Sequence, residues 1–461
     1  MAKRQSILPL GARLVHVLAL LTLLAFAAES AGYANRAMTL LARLTYLGFC
    51  LYIAFSPEDE NRGFTILLSG VLLPFVAGFF AWNGYLLAAL WLLYAMTVLV
   101  REKLPRSISP GSLDFLLFFF VLFFAAAPLW AVNVQDAMAR NAHQIVGLTI
   151  LILAVRYPDF FRNRLAQIGC IYVAFYILVH IAGTLGIEGG YRVSKDLKGQ
   201  LITTQLAQHF MFFTPAFLIL TGPRKKQSLI LALLSLVALF LTVARGSLLG
   251  FLCGMAAALA VAVLLHARTK RQRILTGLGG LLFFALIALA IILLRSRIEY
   301  YFQTWTMEQR LALWHMTFQS WLSYPLAGNG TFIAFNIFTT TASPAFADLV
   351  QEHAPLVAPW IEPHNLYLAL LLSGGIIGLC SFLFIMGYII VRSLRAPNDT
   401  SLLLIALTVS FLVVGLTESL ISTYIPLFLL WILWALARTD LRGPPRLRLP
   451  IPPLAWTLAL L

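Results

Sequence analysis

Residues 362–378 read EPHNLYLALLLSGGIIG. A proline, a histidine and an asparagine stand directly before an apolar run that carries Gly374, Gly375 and Gly378. The run continues to about residue 392, longer than the roughly 20 apolar residues that a membrane span needs. Pro363 suits the first turn of a helix, where its missing N–H costs nothing. His364 and Asn365 then fall in that first turn, at a membrane surface. The glycines suit close helix packing.

The rest of the chain has the same character. It has 461 residues, 61% of them hydrophobic and only 11% charged. Soluble domains sit near 45–50% apolar and about 25% charged, so lipid has to be the main solvent. Apolar runs recur at about 12–29, 36–55, 64–82, 84–100, 113–132, 144–156, 165–187, 203–221, 228–243, 247–267, 276–295, 364–392, 401–418 and 420–437. The expected fold is an all-α polytopic membrane protein with about 12–14 transmembrane helices, the first run being a retained helix. Cys50, Cys170, Cys253 and Cys380 all fall inside apolar runs and read as small buried hydrophobes.

The net charge is +15. No basic stripe lies outside short loops, which argues against nucleic acid. Lys and Arg instead mark the cytoplasmic loops of membrane proteins. REKLPR at 101, RYPDFFRNR at 156, PRKK at 223, ARTKRQR at 267, RSLR at 392 and the tail from Arg438 all become cytoplasmic if alternate loops are so assigned. The other side then receives the loop 188–204, the ARGS tip at 244–247 and the long segment 296–363. The division is 1–295 transmembrane helices with short loops, 296–363 a periplasmic loop domain, 364–437 C-terminal transmembrane helices and 438–461 a cytoplasmic tail. Within the loop domain, residues 306–322 read as an amphipathic helix, with Leu311, Trp314, Phe318, Trp321 and Leu322 at helical spacing. Such a helix suits the outer membrane face. Gly328 and Gly330 read as a turn after it.

On that outer side, an imidazole at the start of a helix can accept a proton, so His364 is the candidate general base. A histidine in an interfacial belt would look the same. Arg192 and Lys195 share one outer loop, Arg245 sits at a hairpin tip between two spans, and Arg310 opens the amphipathic helix. An arginine beside lipid is costly unless it functions or snorkels, and guanidinium forks match phosphate oxygens. Several of them outside point to a phosphorylated lipid substrate. Glu418 ends a span on the same side, and Glu362 precedes Pro363; either could orient His364. Walker A and HExxH motifs are absent, and the other histidines lack ligand spacing. No cofactor, no metal and no ATP hydrolysis are expected.

Arg192, the ARGS tip at Arg245, RLALWHMTFQSWLSYPLAGNG from Arg310 and PHNLYLALLLSGGIIGL together resemble the O-antigen ligase and O-antigen polymerase superfamily, over about 188–420. The family usually has a serine before the hairpin arginine, where this chain has Ala244. The resemblance implies a C-type glycosyltransferase-like fold in the bacterial inner membrane, with the active site facing the periplasm. It implies transfer of O-antigen polysaccharide from undecaprenyl pyrophosphate to lipid A–core, without ATP or metal and with inversion. Arg192, Lys195, Arg245 and Arg310 would hold the pyrophosphate, His364 would take the acceptor proton, and Asn365 and Glu418 would orient substrate or base. An O-antigen polymerase and a protein O-oligosaccharyltransferase are alternatives within the superfamily. A lipid-linked glycan transporter or flippase is the alternative of another class, and would call for polar residues deep in several spans.

Overall fold

The computed structural model describes residues 111–132, 143–157, 164–170, 203–219, 225–242, 244–266, 307–330, 363–395, 398–418 and 424–440 almost continuously, together with 107–108, 449–450 and scattered positions elsewhere. Short strands β1 (Ser107–Ile108) and β2 (Leu449–Pro450) pair antiparallel. Among the described residues the helices are α1 (Ser112–Ala126), α2 (His143–Arg156), α3 (Thr203–Ile219), α4 (Lys225–Leu241), α5 (Arg245–Val261), α6 (Met307–Leu322), α7 (Leu366–Arg395), α8 (Asp399–Val414) and α9 (Tyr424–Asp440). Three helical stretches among them are long and apolar enough to cross a membrane: Ser112–Leu129, Arg245–Leu264 and Leu366–Arg395. The chain is thus helical and membrane-type, as its composition requires. The described residues do not extend to the full expected count of spans, and the domain division is not decided by them.

The helix ends sort into two sets. Arg438, near the end of α9, is buried and pairs with Asp114 in the first turn of α1. Its Nη1 also donates to Ala154 O near the end of α2 at 3.5 Å. Asp114 accepts in addition from Gly111 N–H at 2.8 Å, which caps α1. One ion pair therefore ties three helix ends together, and β1–β2 lies beside the same ends in sequence. Arg438 belongs to a helix that runs on to Asp440, not to a solvated tail. Arg156, Lys225, Lys226, Arg392 and Arg395 occupy the ends of α2, α4 and α7 that alternate to this side. At the other end lie Trp130, Arg245, the segment 325–330, His364 and residues 415–418. The alternation of basic and non-basic ends expected from the sequence is present in the described helices.

Small residues set the closest packing. On α5, Gly246, Gly250 and Gly254 recur every four residues and face α8. A Cβ on Gly250 would lie 2.8 Å from Ser410 O, and one on Gly254 would lie 2.2 Å from Ala406 O. The backbones thus touch, as small-residue faces permit in membranes. Elsewhere the packing is aromatic. Trp431 and Trp434 of α9 are fully buried, Trp434 lies edge-on to Phe120 of α1 at 5.2 Å, and Gly147 of α2 leaves room for Trp431.

One helix is broken. Gly375 in α7 has φ 60° and ψ −157°, outside helical space. The segment Tyr324–Gly330 docks across the break as a strap. Asn329 N–H donates to Leu372 O at 2.7 Å and Gly330 N–H to Ser373 O at 3.1 Å. In return Ile376 N–H donates to Pro325 O at 2.9 Å and Ile377 N–H to Leu326 O at 3.2 Å. From the other side, Trp130 Nε1–H donates to Ala327 O at 3.1 Å and Val132 N–H to Asn329 O at 3.0 Å. Gly374 and Gly378 pack on Phe124 as close-contact glycines should, but Gly375 serves the break. Gly328 and Gly330 have positive φ and are more than a turn, since a Cβ on Gly328 would meet the α7 backbone at 2.5 Å.

Gly254→Leu is expected to lower the melting temperature of the purified protein, because overpacking a tight contact costs about 1–3 kcal/mol. Gly387→Leu, where nothing lies within 4 Å of the added carbon, should leave it close to the parent; equal melting of the two variants would refute the α5–α8 contact.

Candidate active site

His364 stands at the end of the helices away from the basic termini. Its φ is 45°, the sole positive value of a non-glycine residue among those described. A side-chain-bearing residue held there costs roughly 1–3 kcal/mol, and persists where its surroundings over-determine it. Hydrogen bonds on both sides of it do so. On the N-terminal side, Pro363 O accepts from Trp314 Nε1–H of α6 at 3.0 Å. On the C-terminal side, Asn365 Oδ1 accepts from Tyr367 N–H at 3.0 Å and Leu368 N–H at 3.1 Å, which caps α7. Asn365 Nδ2 donates to Leu416 O at 3.2 Å, just past α8. The first turn of α7 is pinned to the same place, with Leu366 N–H on Gly415 O at 2.7 Å and Tyr367 Oη–H on Leu412 O at 2.6 Å.

This docking brings the carboxylate of Glu418 to the imidazole. Glu418 Oε2 lies 3.9 Å from His364 Nδ1. That is longer than a hydrogen bond but inside the range of charge–charge attraction. The histidine side chain is 35% exposed and the glutamate 16%, so the ring is reachable while its carboxylate partner is shielded. Because Nδ1 faces Glu418, Nε2 is the ring nitrogen turned from the carboxylate. Arg245 arrives through α5. Gly246 is pressed against Thr417, with its missing Cβ 2.2 Å from Thr417 Oγ1. Arg245 and Glu418 are therefore chain neighbours of the two residues in one contact, the Gly246 backbone against the Thr417 side chain. Arg245 is exposed and occupies the first turn of α5, where a cation opposes the helix macrodipole.

Of the residues expected from sequence, His364, Asn365 and Glu418 lie together, and Arg245 precedes Gly246, which packs on Thr417. Arg310 lies in the first turn of α6, whose Trp314 bonds to Pro363, but its side chain is outside the described residues. Arg192, Lys195 and Glu362 also lie outside them. Among the described residues no group of three or more His, Cys, Asp or Glu is placed to hold a metal ion. Sequence reasoning missed two supports, Trp314 as partner of Pro363 and Tyr367 as partner of Leu412. It also passed over the four-residue spacing of Gly246, Gly250 and Gly254, a signal that was present.

The long apolar helices define the class: an integral membrane protein, with a polar, partly exposed cluster at one end of its helices. Residues 230–383 match the family model described as O-antigen ligase, about a third of the chain. That match supports membership of the O-antigen ligase/polymerase superfamily, whose members are glycosyltransferase-like enzymes acting on lipid-linked glycans. It includes Arg245, Arg310, His364 and Asn365. No curated protein matches the chain.

Asn365→Asp is expected to keep the cap, since a carboxylate oxygen still accepts from Tyr367 and Leu368. Asn365→Ala should cost about 1 kcal/mol of stability, read as a lower melting temperature than that of Asn365→Asp. Gly375→Ala should do worse than either, because its added carbon would lie 2.3 Å from Leu326 O at a φ that favours glycine; parent-like melting of that variant would refute the strap.

Proposed function

We propose that the chain is an O-antigen ligase, which moves polysaccharide from undecaprenyl pyrophosphate to lipid A–core at the periplasmic face of the inner membrane. The observation that carries this reading is the His364–Glu418 pair, at the helix ends away from the basic termini, with the start of α5 packed on the neighbouring Thr417. The positive-inside tendency makes that end periplasmic, where both lipid-borne substrates would present their sugars. In sequence a single segment, 296–363, joins the spans there, which suits a ligase.

In the transfer, His364 Nε2 takes the proton of an acceptor sugar hydroxyl. The freed oxygen attacks the anomeric carbon of the donor, and the bond from that carbon to the pyrophosphate oxygen breaks with inversion. Undecaprenyl pyrophosphate leaves with the bonding electrons. Glu418 attracts the imidazolium as it forms, an interaction stronger in the transition state than before it. Arg245 and the amino end of α5 share a preference for an anion, so a diphosphate there relieves the conflict between the guanidinium and the helix dipole. Arg192, Lys195 and Arg310 complete the diphosphate site. Asn365, with both ends of its side chain engaged in the protein, acts by fixing the backbone of His364. The chemistry needs no metal or nucleotide, and transfer proceeds in EDTA.

His364→Ala is expected to reduce transfer by about 10²–10⁴-fold, the usual contribution of a general base, with expression unchanged. Arg245→Lys should impair transfer despite its retained charge, because the planar fork is lost. The ligase reading is tested by a lipopolysaccharide gel after gene deletion. Bare core with polymer accumulating on the carrier lipid is the expected outcome; single repeat units attached to core would make the chain a polymerase instead.

A further inference from the structure

The polarity of α6 is inverted relative to a helix packed on a protein in water. Thr317 and Ser320 face the protein, 1% and 3% exposed, whereas Leu311, Phe318 and Leu322 are 51%, 42% and 50% exposed. On a helical wheel the three exposed apolar residues form one sector, flanked on one side by half-buried Trp314 and Trp321. On the other side stand His315 and Gln319, whose side chains are 3.5 Å apart. An exposed apolar sector bordered by tryptophans on one side and polar residues on the other suits a helix lying in a membrane interface.

The exposed apolar sector also continues into further exposed apolar positions. Past α6 come exposed Tyr324 and Leu326, the latter in the strap bonded to Ile377. Ile376 and Ile377 begin a row of exposed positions down α7, through Leu383 and Phe384 to Val391 and Leu394. Residues 376–395 span about 30 Å at 1.5 Å per residue, the thickness of the hydrocarbon core. The basic residues Arg392 and Arg395 mark its far boundary. The break at Gly375 therefore falls at the near boundary, and the strap and α6 lie at headgroup depth.

We propose that α6 is seated in the outer-leaflet interface of the bilayer, and that this seat holds His364 in place through the Trp314–Pro363 hydrogen bond. The interfacial seat stands on geometry, its outer-leaflet side on the positive-inside assignment, and the link to His364 on the transferase reading above. Trp314 is then a positioning residue that connects a lipid surface to the base.

The test uses the full chain in liposomes, with Phe318→Cys, Leu322→Cys, His315→Cys and Gln319→Cys made singly and probed with a membrane-impermeant maleimide over the background of the parent. Cysteines at 318 and 322 are expected to react at least about tenfold more slowly than those at 315 and 319, as burial in the headgroup and acyl boundary requires. Equal rates overturn the proposal. So does shielding in native membranes that vanishes in liposomes of the purified protein, which would assign the face to a protein partner. Trp314→Phe keeps the apolar contact and loses the N–H. It should leave the labelling pattern unchanged and lower kcat about tenfold, the worth of one hydrogen bond, with KM for the donor near the parent value. Parent-like kcat in Trp314→Phe overturns the link to His364. Undiminished transfer in His364→Ala removes the transferase reading while leaving the labelling result standing.

Discussion

A helix that breaks loses intrahelical partners for its backbone groups, and each one left buried and unpaired costs about 1–3 kcal/mol. In α7 the break at Gly375 is met by the strap, which supplies carbonyls to Ile376 and Ile377 and takes Leu372 O and Ser373 O in return. Glycine is required on both sides of that exchange, for positive φ and for the close approach of two backbones. The broken helix and the strap are thus one structural unit, although about 50 residues of chain separate them. Without the strap the break has no stable form, and without the break the start of α7 would project straight along its own axis.

The consequence is geometric. Before the break, residues 366–374 run from Gly374, packed on Phe124 of α1, to Leu366, bonded to Gly415 at the end of α8. This short piece joins the ends of two other helices and delivers His364 to Glu418. Arg245 reaches the same place by a different route, because the glycine face of α5 presses on α8 up to the Gly246–Thr417 contact. The two halves of the cluster are therefore positioned by α8, whose end receives Asn365, Leu366 and Tyr367 from one side and Gly246 from the other. At the far end, the Arg438–Asp114 pair ties α9 and α2 to α1. A buried pair of this kind costs more to half-remove than it contributes when whole, so it reads as a device for fixing helix register.

Much of this was legible in the sequence. Composition forced a membrane protein because charged groups are too few to cover a soluble chain of this length. The Pro-His-Asn triplet marked the neighbourhood of a helix start but not its position. It read as the first turn, whereas α7 begins at Leu366, His364 stands outside it at positive φ and Asn365 caps it, a role set by contacts the local sequence does not show. The amphipathic period of 306–322 matched the helix Met307–Leu322. Glycines were harder: Gly374, Gly375 and Gly378 look alike in sequence, yet two allow packing and one breaks the helix, because which of them meets the strap depends on a segment far away. Asn365 showed the same ambiguity, since an amide can bind a ligand or cap a helix, and the capping bonds became visible only with α8 in place.

Sequence alone determined the solvent, the helical class, the alternation of basic and non-basic ends and the residue types available at the surface. These follow from local composition and period, which act through transfer free energy one segment at a time. The tertiary structure decided which carboxylate faces the imidazole, which nitrogen of the ring is turned from it, and that the start of α5 packs against the end of α8. Those depend on backbone contacts between segments far apart in the chain, at α5 with α8 and at the strap with α7, and no local propensity encodes such a distance.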